Sequence, residues 1–190
     1  MIIVKLLTVK LIFLIHFAFS ECSDLSQADC DYWSTYCSWN SEQNICEEIG
    51  GGGGGSYEFG PYEVATYTQN DGMQPGSLYA DATIYHPIGY NDLLGSIILG
   101  AGFGGDQESM ENWAYYFSSY GFVSATIQYN DPVNDSHGFR AEAILELISS
   151  IKMEEDRPNS PLFNALDTSE FAAVGYSLSG GSVQLAAVLN

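Results

Sequence analysis

The chain has 190 residues, enough for one domain plus a small appendage. Hydrophobic residues make up 46%, which supports a globular core and argues against general disorder. With 24 acidic and 5 basic residues, the net charge is -19, which excludes nucleic acid as a partner because binding it needs clustered Lys and Arg.

The first stretch, MIIVKLLTVKLIFLIHFAFS, carries Lys5 and Lys10, an apolar run at Leu11–Ile15, and small Ala18 and Ser20 before Glu21. That pattern predicts a secretory signal peptide over residues 1–20, cut after Ser20, and a secreted protein. The alternative is an uncleaved membrane anchor, but His16 and the lysines leave the apolar run too short to span a bilayer. Membrane contact is therefore expected only through the leader.

All four cysteines, Cys22, Cys30, Cys37 and Cys46, follow within residues 21–48. In an oxidising compartment they predict two disulfides, and three pairings remain open. Without a Cys-x-x-Cys pair the spacing disfavours a zinc site, and no metal or cofactor is expected. So small a module relies on covalent staples for stability. Trp33, Tyr36 and Trp39 lie inside it. They either pack against the disulfides or stack on a carbohydrate or polymer; the small size favours packing. Its YCSW stretch resembles small cysteine-rich extracellular modules of the plexin-like kind. A linker follows over residues 49–56, with GGGGGGS at Gly50–Ser56.

Residues 57–190 alternate strand and helix. PYEVATYT and SLYADATIYHP read as strands of alternating type, fitting an antiparallel edge hairpin. LLGSIILG is a continuous apolar run, expected for a strand covered on both faces. DQESMENWAYYFSSYG places Met110, Trp113, Ala114 and Phe117 on one helical face, with Asp106 near its start and Gly121 beyond its end. FVSATIQY is the next buried strand. FRAEAILELISSIKMEED repeats helical spacing at Ile144, Leu147, Ile148 and Ile151, and Pro158 and Pro161 mark the loop after it. FAAVG is a further buried strand, and LSGGSVQLAAVLN opens an apolar helix. Buried parallel strands joined by amphipathic helices predict an α/β sheet covered on both faces.

The strand-to-helix turn at GYSLS carries the chemistry. A sharp turn exposes a serine oxygen and crowds the positions two before and two after it, which must be small, as in G-x-S-x-G. Gly175, Ser177 and Ser179 fit with Ser in the last place, making Ser177 the candidate nucleophile. In a second register Ser179 would be the nucleophile, with the first Gly misplaced. The helix N-terminus favours a negative oxygen, and the backbone N–H of Leu178 is the first oxyanion donor. The second comes from the loop GAGFGGDQ, where Phe103 sits.

GPYEVATYT, ATIYHP, ILGAGFGGDQESMENWAYYFSSYGFVSATIQYN and DTSEFAAVGYSLSGGS together resemble the bacterial cutinase and polyester hydrolase family. Dienelactone hydrolases, platelet-activating-factor acetylhydrolases and chlorophyllases lie near it. The likeness runs from about Gly60 to Asn190 and covers roughly the first half of that family's α/β-hydrolase fold. It implies that Ser177 is the nucleophile and that Phe103 and Leu178 give oxyanion N–H groups. It further implies that Phe103 and Tyr176 line a cleft for a small ester or lipid-like substrate.

In this fold the acid and then the histidine follow the serine. After Ser177 there is no Asp, Glu or His. The sequence therefore predicts an α/β-hydrolase domain truncated after the nucleophile turn, preceded by a small disulfide-rich module and inactive by itself. His86, His137, Asp131 and Asp135 precede the serine, where the family's base and acid do not come from. The alternative function is a non-catalytic secreted binding or adhesion protein, with the cysteine module as its working part. Asn134-Asp135-Ser136 is the only N-glycosylation acceptor, expected in a surface loop on the Ser177 side.

Overall fold

The computed structural model describes residues 26–32, 37–48 and 58–190. The leader, Cys22, Trp33, Tyr36 and the glycine linker lie outside the described residues, as does the side chain of Cys37. The described residues fall into two units, divided between Glu58 and Phe59.

The first unit holds α1 (Gln27–Tyr32) and an antiparallel hairpin of β1 (Cys37–Asn40) and β2 (Ile45–Glu48). Asn40 starts the turn: its side-chain oxygen accepts the N–H groups of Glu42 and Gln43. Asn44 closes the turn at φ 56°, a left-handed conformation that Asn tolerates. Cys30 on α1 is bonded to Cys46 on β2, and both are buried. Cys30–Cys46 belongs to one of the three possible pairings, and the partners of Cys22 and Cys37 lie outside the described residues. Closing a loop of 16 residues stabilises the fold by about 3 kcal/mol. Trp39 pairs with Cys46 in register and is half-buried.

The second unit is a five-stranded mixed sheet. Its strands are β3 (Val64–Thr68), β4 (Tyr79–Pro87), β5 (Leu94–Gly100), β6 (Val123–Tyr129) and β7 (Leu166–Gly175), in the order β3-β4-β6-β5-β7. β6, β5 and β7 are parallel; β4 runs antiparallel to both β3 and β6. The alternating strands thus form the edge hairpin, and the continuous apolar runs form the parallel centre.

Helix α2 (Glu111–Ser119) covers one face, while α3 (His137–Glu154) and α4 (Leu178–Leu189) cover the other. Strand β5 serves both: Ile97 and Leu99 pack with Met110 and Ala114 on the α2 side, and Ile98 packs with Ile144 and Leu147 on the α3 side. A strand buried on both sides has no polar alternation to show, hence the unbroken IIL. The segment before α2 is tighter than the helical spacing suggests. Gln107–Met110 forms a 3-10 turn with Asp106 as its N-cap, accepting from the Ser109 N–H, and α2 starts only at Glu111. At the start of α3, Ser136 caps by accepting from the Phe139 N–H.

Candidate active site

The parallel strands end together: Gly100 pairs with Gly175 and Ile127. At that end Tyr176 donates its N–H to the Gly100 carbonyl, at 3.0 Å, and Ser177 then turns the chain into α4. Ser177 has φ 49° and ψ -113°, a region that costs a non-glycine residue on the order of 1–3 kcal/mol. The turn is closed by Ser179 N–H to Tyr176 O, 3.0 Å, and Gly180 N–H to Ser177 O, 2.9 Å. These bonds fold the helix back over the strand. A Cβ on Gly175 would lie 2.2 Å from the Ser179 carbonyl oxygen, so only glycine fits there.

The two serines in the motif have different surroundings. Ser177 is exposed and makes no capping bond to its own helix. Leu178 is the first residue of α4, so its N–H has no partner within the helix. Ser179 is fully buried, and its hydroxyl donates to the Ala101 carbonyl. Its single proton is thereby used. The contacts from Tyr129 Oη, 2.9 Å, and Arg140 Nη1, 3.1 Å, must then donate to it. Small size at this position reflects a packed hydrogen-bond node.

The loop after β5 runs directly against the turn. A Cβ on Gly102 would sit 3.2 Å from Ser177 Cβ and 3.0 Å from the Tyr176 ring. Phe103, 67% exposed, and Tyr176, 44% exposed, present their rings at this end of the sheet. The loop is tied down by Gly104 N–H to Pro132 O, 2.8 Å, in the segment after β6.

Arg140 is the residue that the sequence did not single out. It is fully buried, and its guanidinium lies 4.3 Å from the centre of the Tyr129 ring. It donates to the carbonyls of Ala101 at 3.0 Å, Gly102 at 3.3 Å, Pro132 at 2.6 Å and Asp135 at 3.4 Å, as well as to Ser179. A signal was present: Arg140 continues the buried stripe Ile144, Leu147, Ile151 by one step of four residues. A charged residue on the apolar face of a helix has a partner to meet.

His86 lies at the far end of the sheet. Its neighbour Tyr85 pairs with Ser124 at the start of β6, and His86 Nδ1 is 3.4 Å from the Pro87 carbonyl oxygen. Burial lowers its pKa. His137 lies at the Ser177 end, exposed, with its ring against Gly181, four residues beyond Ser177 in α4. Asp131 and Asp135 organise the loop after β6; Asp135 accepts the Asp131 N–H, and Asp131 accepts both Asn134 N–H groups. Asn134 is exposed in that loop, at the same end of the sheet as Ser177. Among the described residues, no three His, Cys, Asp or Glu side chains converge as a metal site would require.

No curated protein matches the chain. Residues 56–190 match the sequence model described as PET hydrolase-like, which spans both the strained Ser177 turn and the Gly102 loop against it, and the chain belongs to that family of cutinase-like α/β-hydrolases.

Proposed function

We propose that the chain is a secreted serine ester hydrolase whose Ser177 attacks the carbonyl of a small ester or lipid-like substrate. Ser177 Oγ adds to the carbonyl carbon as its proton passes to a base, and the tetrahedral oxyanion collapses by breaking the ester C–O bond, with that proton leaving on the alcohol; water then hydrolyses the acyl-enzyme by the same two steps. The N–H groups of Phe103 and Leu178 receive the developing oxyanion, and the rings of Phe103 and Tyr176 hold the acyl part. The observation that carries this reading is the backbone of Ser177, held at φ 49° on an exposed strand-to-helix turn. Strain of this kind concentrates at functional sites. The Cys30–Cys46 bond supports export to an oxidising compartment. A glycan on Asn134 would stand at the Ser177 end and favour small or flexible esters over a solid surface.

A base is also needed. His86 is at the opposite end of the sheet, His137 packs on Gly181 one helical turn beyond Ser177, and among the described residues no hydrogen bond joins either ring to the serine. The 190-residue chain by itself is therefore expected to acylate slowly and to deacylate more slowly still. A second reading, a binding protein working through the Cys30–Cys46 unit, rests on that unit being a separate compact body closed by a disulfide.

Incubation with a short-chain nitrophenyl ester, followed by intact mass, separates the two. The enzyme reading expects a single acyl group to accumulate and to vanish in Ser177→Ala. A folded chain that neither acylates nor hydrolyses favours the binding reading.

A further inference from the structure

We propose that Arg140 is a positioning residue: it clamps the loop after β5 to the nucleophile turn and fixes the direction of the peptide that offers Phe103 N–H to the oxyanion. The proposal rests on the reading of Ser177 as nucleophile.

The geometry starts from the carbonyls. Arg140 Nη1 bonds the carbonyl oxygens of both Ala101 and Gly102. In a trans peptide the N–H points opposite to the C=O. Pulling the Ala101 and Gly102 oxygens inward therefore turns the N–H groups of Gly102 and Phe103 away from the guanidinium. The same nitrogen holds Ser179 Oγ, which bonds Ala101 O, so loop and turn share one node two residues after Ser177. Nη2 and Nε reach the other way, to Pro132 and Asp135 in the loop after β6. One planar fork thus joins three segments, which the single nitrogen of a lysine cannot do.

The charge has a second effect. The acceptors that Arg140 touches are neutral carbonyls and a hydroxyl, with the Tyr129 ring face beneath. A cation bonded to the Gly102 carbonyl polarises that peptide and strengthens its N–H as a donor. Polarisation of this kind favours a negative oxygen more than a neutral carbonyl, so it acts in the transition state.

The test uses the 190-residue chain with Arg140→Gln and Arg140→Lys, a fluorophosphonate probe, and amide hydrogen exchange. A misdirected oxyanion donor should lower the maximal labelling rate at least about tenfold, with the probe's binding constant within about threefold. Exchange should accelerate in residues 101–105 while β5 and β6 keep their protection. Arg140→Lys should recover part of the rate, because it retains the charge and one bond. If Arg140→Gln does not fold, Arg140→Lys carries the test, with the same split at smaller size. A folded variant whose labelling rate and loop exchange both stay within about twofold of the parent overturns the proposal. A parent that does not label, or a Ser177→Ala chain that labels equally, defeats the reading of Ser177. The hold of Arg140 on the loop then stands or falls with the exchange at 101–105.

Discussion

Ser177 is the residue on which backbone and chemistry meet. Its φ of 49° is tolerated because the bonds at Tyr176, Ser179 and Gly180 over-determine the turn. Ser177→Gly should relieve this strain and raise stability by about 1 kcal/mol, read as a higher denaturant midpoint, while removing the hydroxyl. An unchanged or lower midpoint would mean that the conformation is not costly. The motif itself was legible in the sequence, whereas the environment that separates Ser177 from Ser179 was not. Burial of Ser179 depends on Tyr129 and Arg140, which lie far from it in sequence. His86 gives a pH signature. Burial depresses its pKa below the ordinary 6.5, so the unfolded chain binds the proton first. Stability should therefore fall as pH drops from about 6.5, until the folded-state value is passed. Asp131 does not confuse the window: bonds from the Asn134 side chain, then from the Asn134 and Val133 N–H groups, hold it below the usual carboxylate range. His86→Gln should flatten the slope of urea midpoints between neutral and mildly acidic pH; an unaltered slope would assign it to another group.

Helix α3 shows what an element adds to its residues. Its buried stripe of Ile144, Leu147 and Ile151 ends in a fully buried charge at each side, Arg140 and Glu154. Periodicity located the helix and its apolar face but missed the charged ends, because pattern reading assigns charges to solvent by default. Glu154 is held by the Arg157 guanidinium and by the hydroxyls of Ser160 and Tyr67. Glu154→Ala would leave three buried or half-buried donors without an acceptor and should cost about 3 kcal/mol, measured by chemical unfolding. A loss below about 1 kcal/mol would show that water replaces the carboxylate. Strand β7 was legible only in its second half, FAAVG. Register passes from Leu94–Leu166 to Ser96–Phe171, so the polar residues between Leu166 and Phe171 bulge outward and break the alternation that a sequence can display.

At the scale of the molecule, one sheet delivers every part of the candidate site to one end. β5 brings the Gly102 loop, β6 the Pro132 loop with Arg140 just beyond, and β7 the turn at Ser177. Delivery of loops to the carboxyl ends of parallel strands follows from α/β architecture, so this much could be foreseen from the alternation of strands and helices. The stitching of those loops by one guanidinium could not, since it depends on tertiary proximity. β7 is also an edge strand, and its apolar FAAVG run follows from packing on both faces: Phe171 and Ala173 join the core under α3 and α4, while Ala172 and Val174 pack on the α2 side. The most direct test of the account is to label the folded chain with a fluorophosphonate and map the adduct by peptide mass analysis. The account predicts one adduct, on Ser177, absent from Ser177→Ala. An adduct on Ser179 or on another residue, or equal labelling of Ser177→Ala, would contradict it.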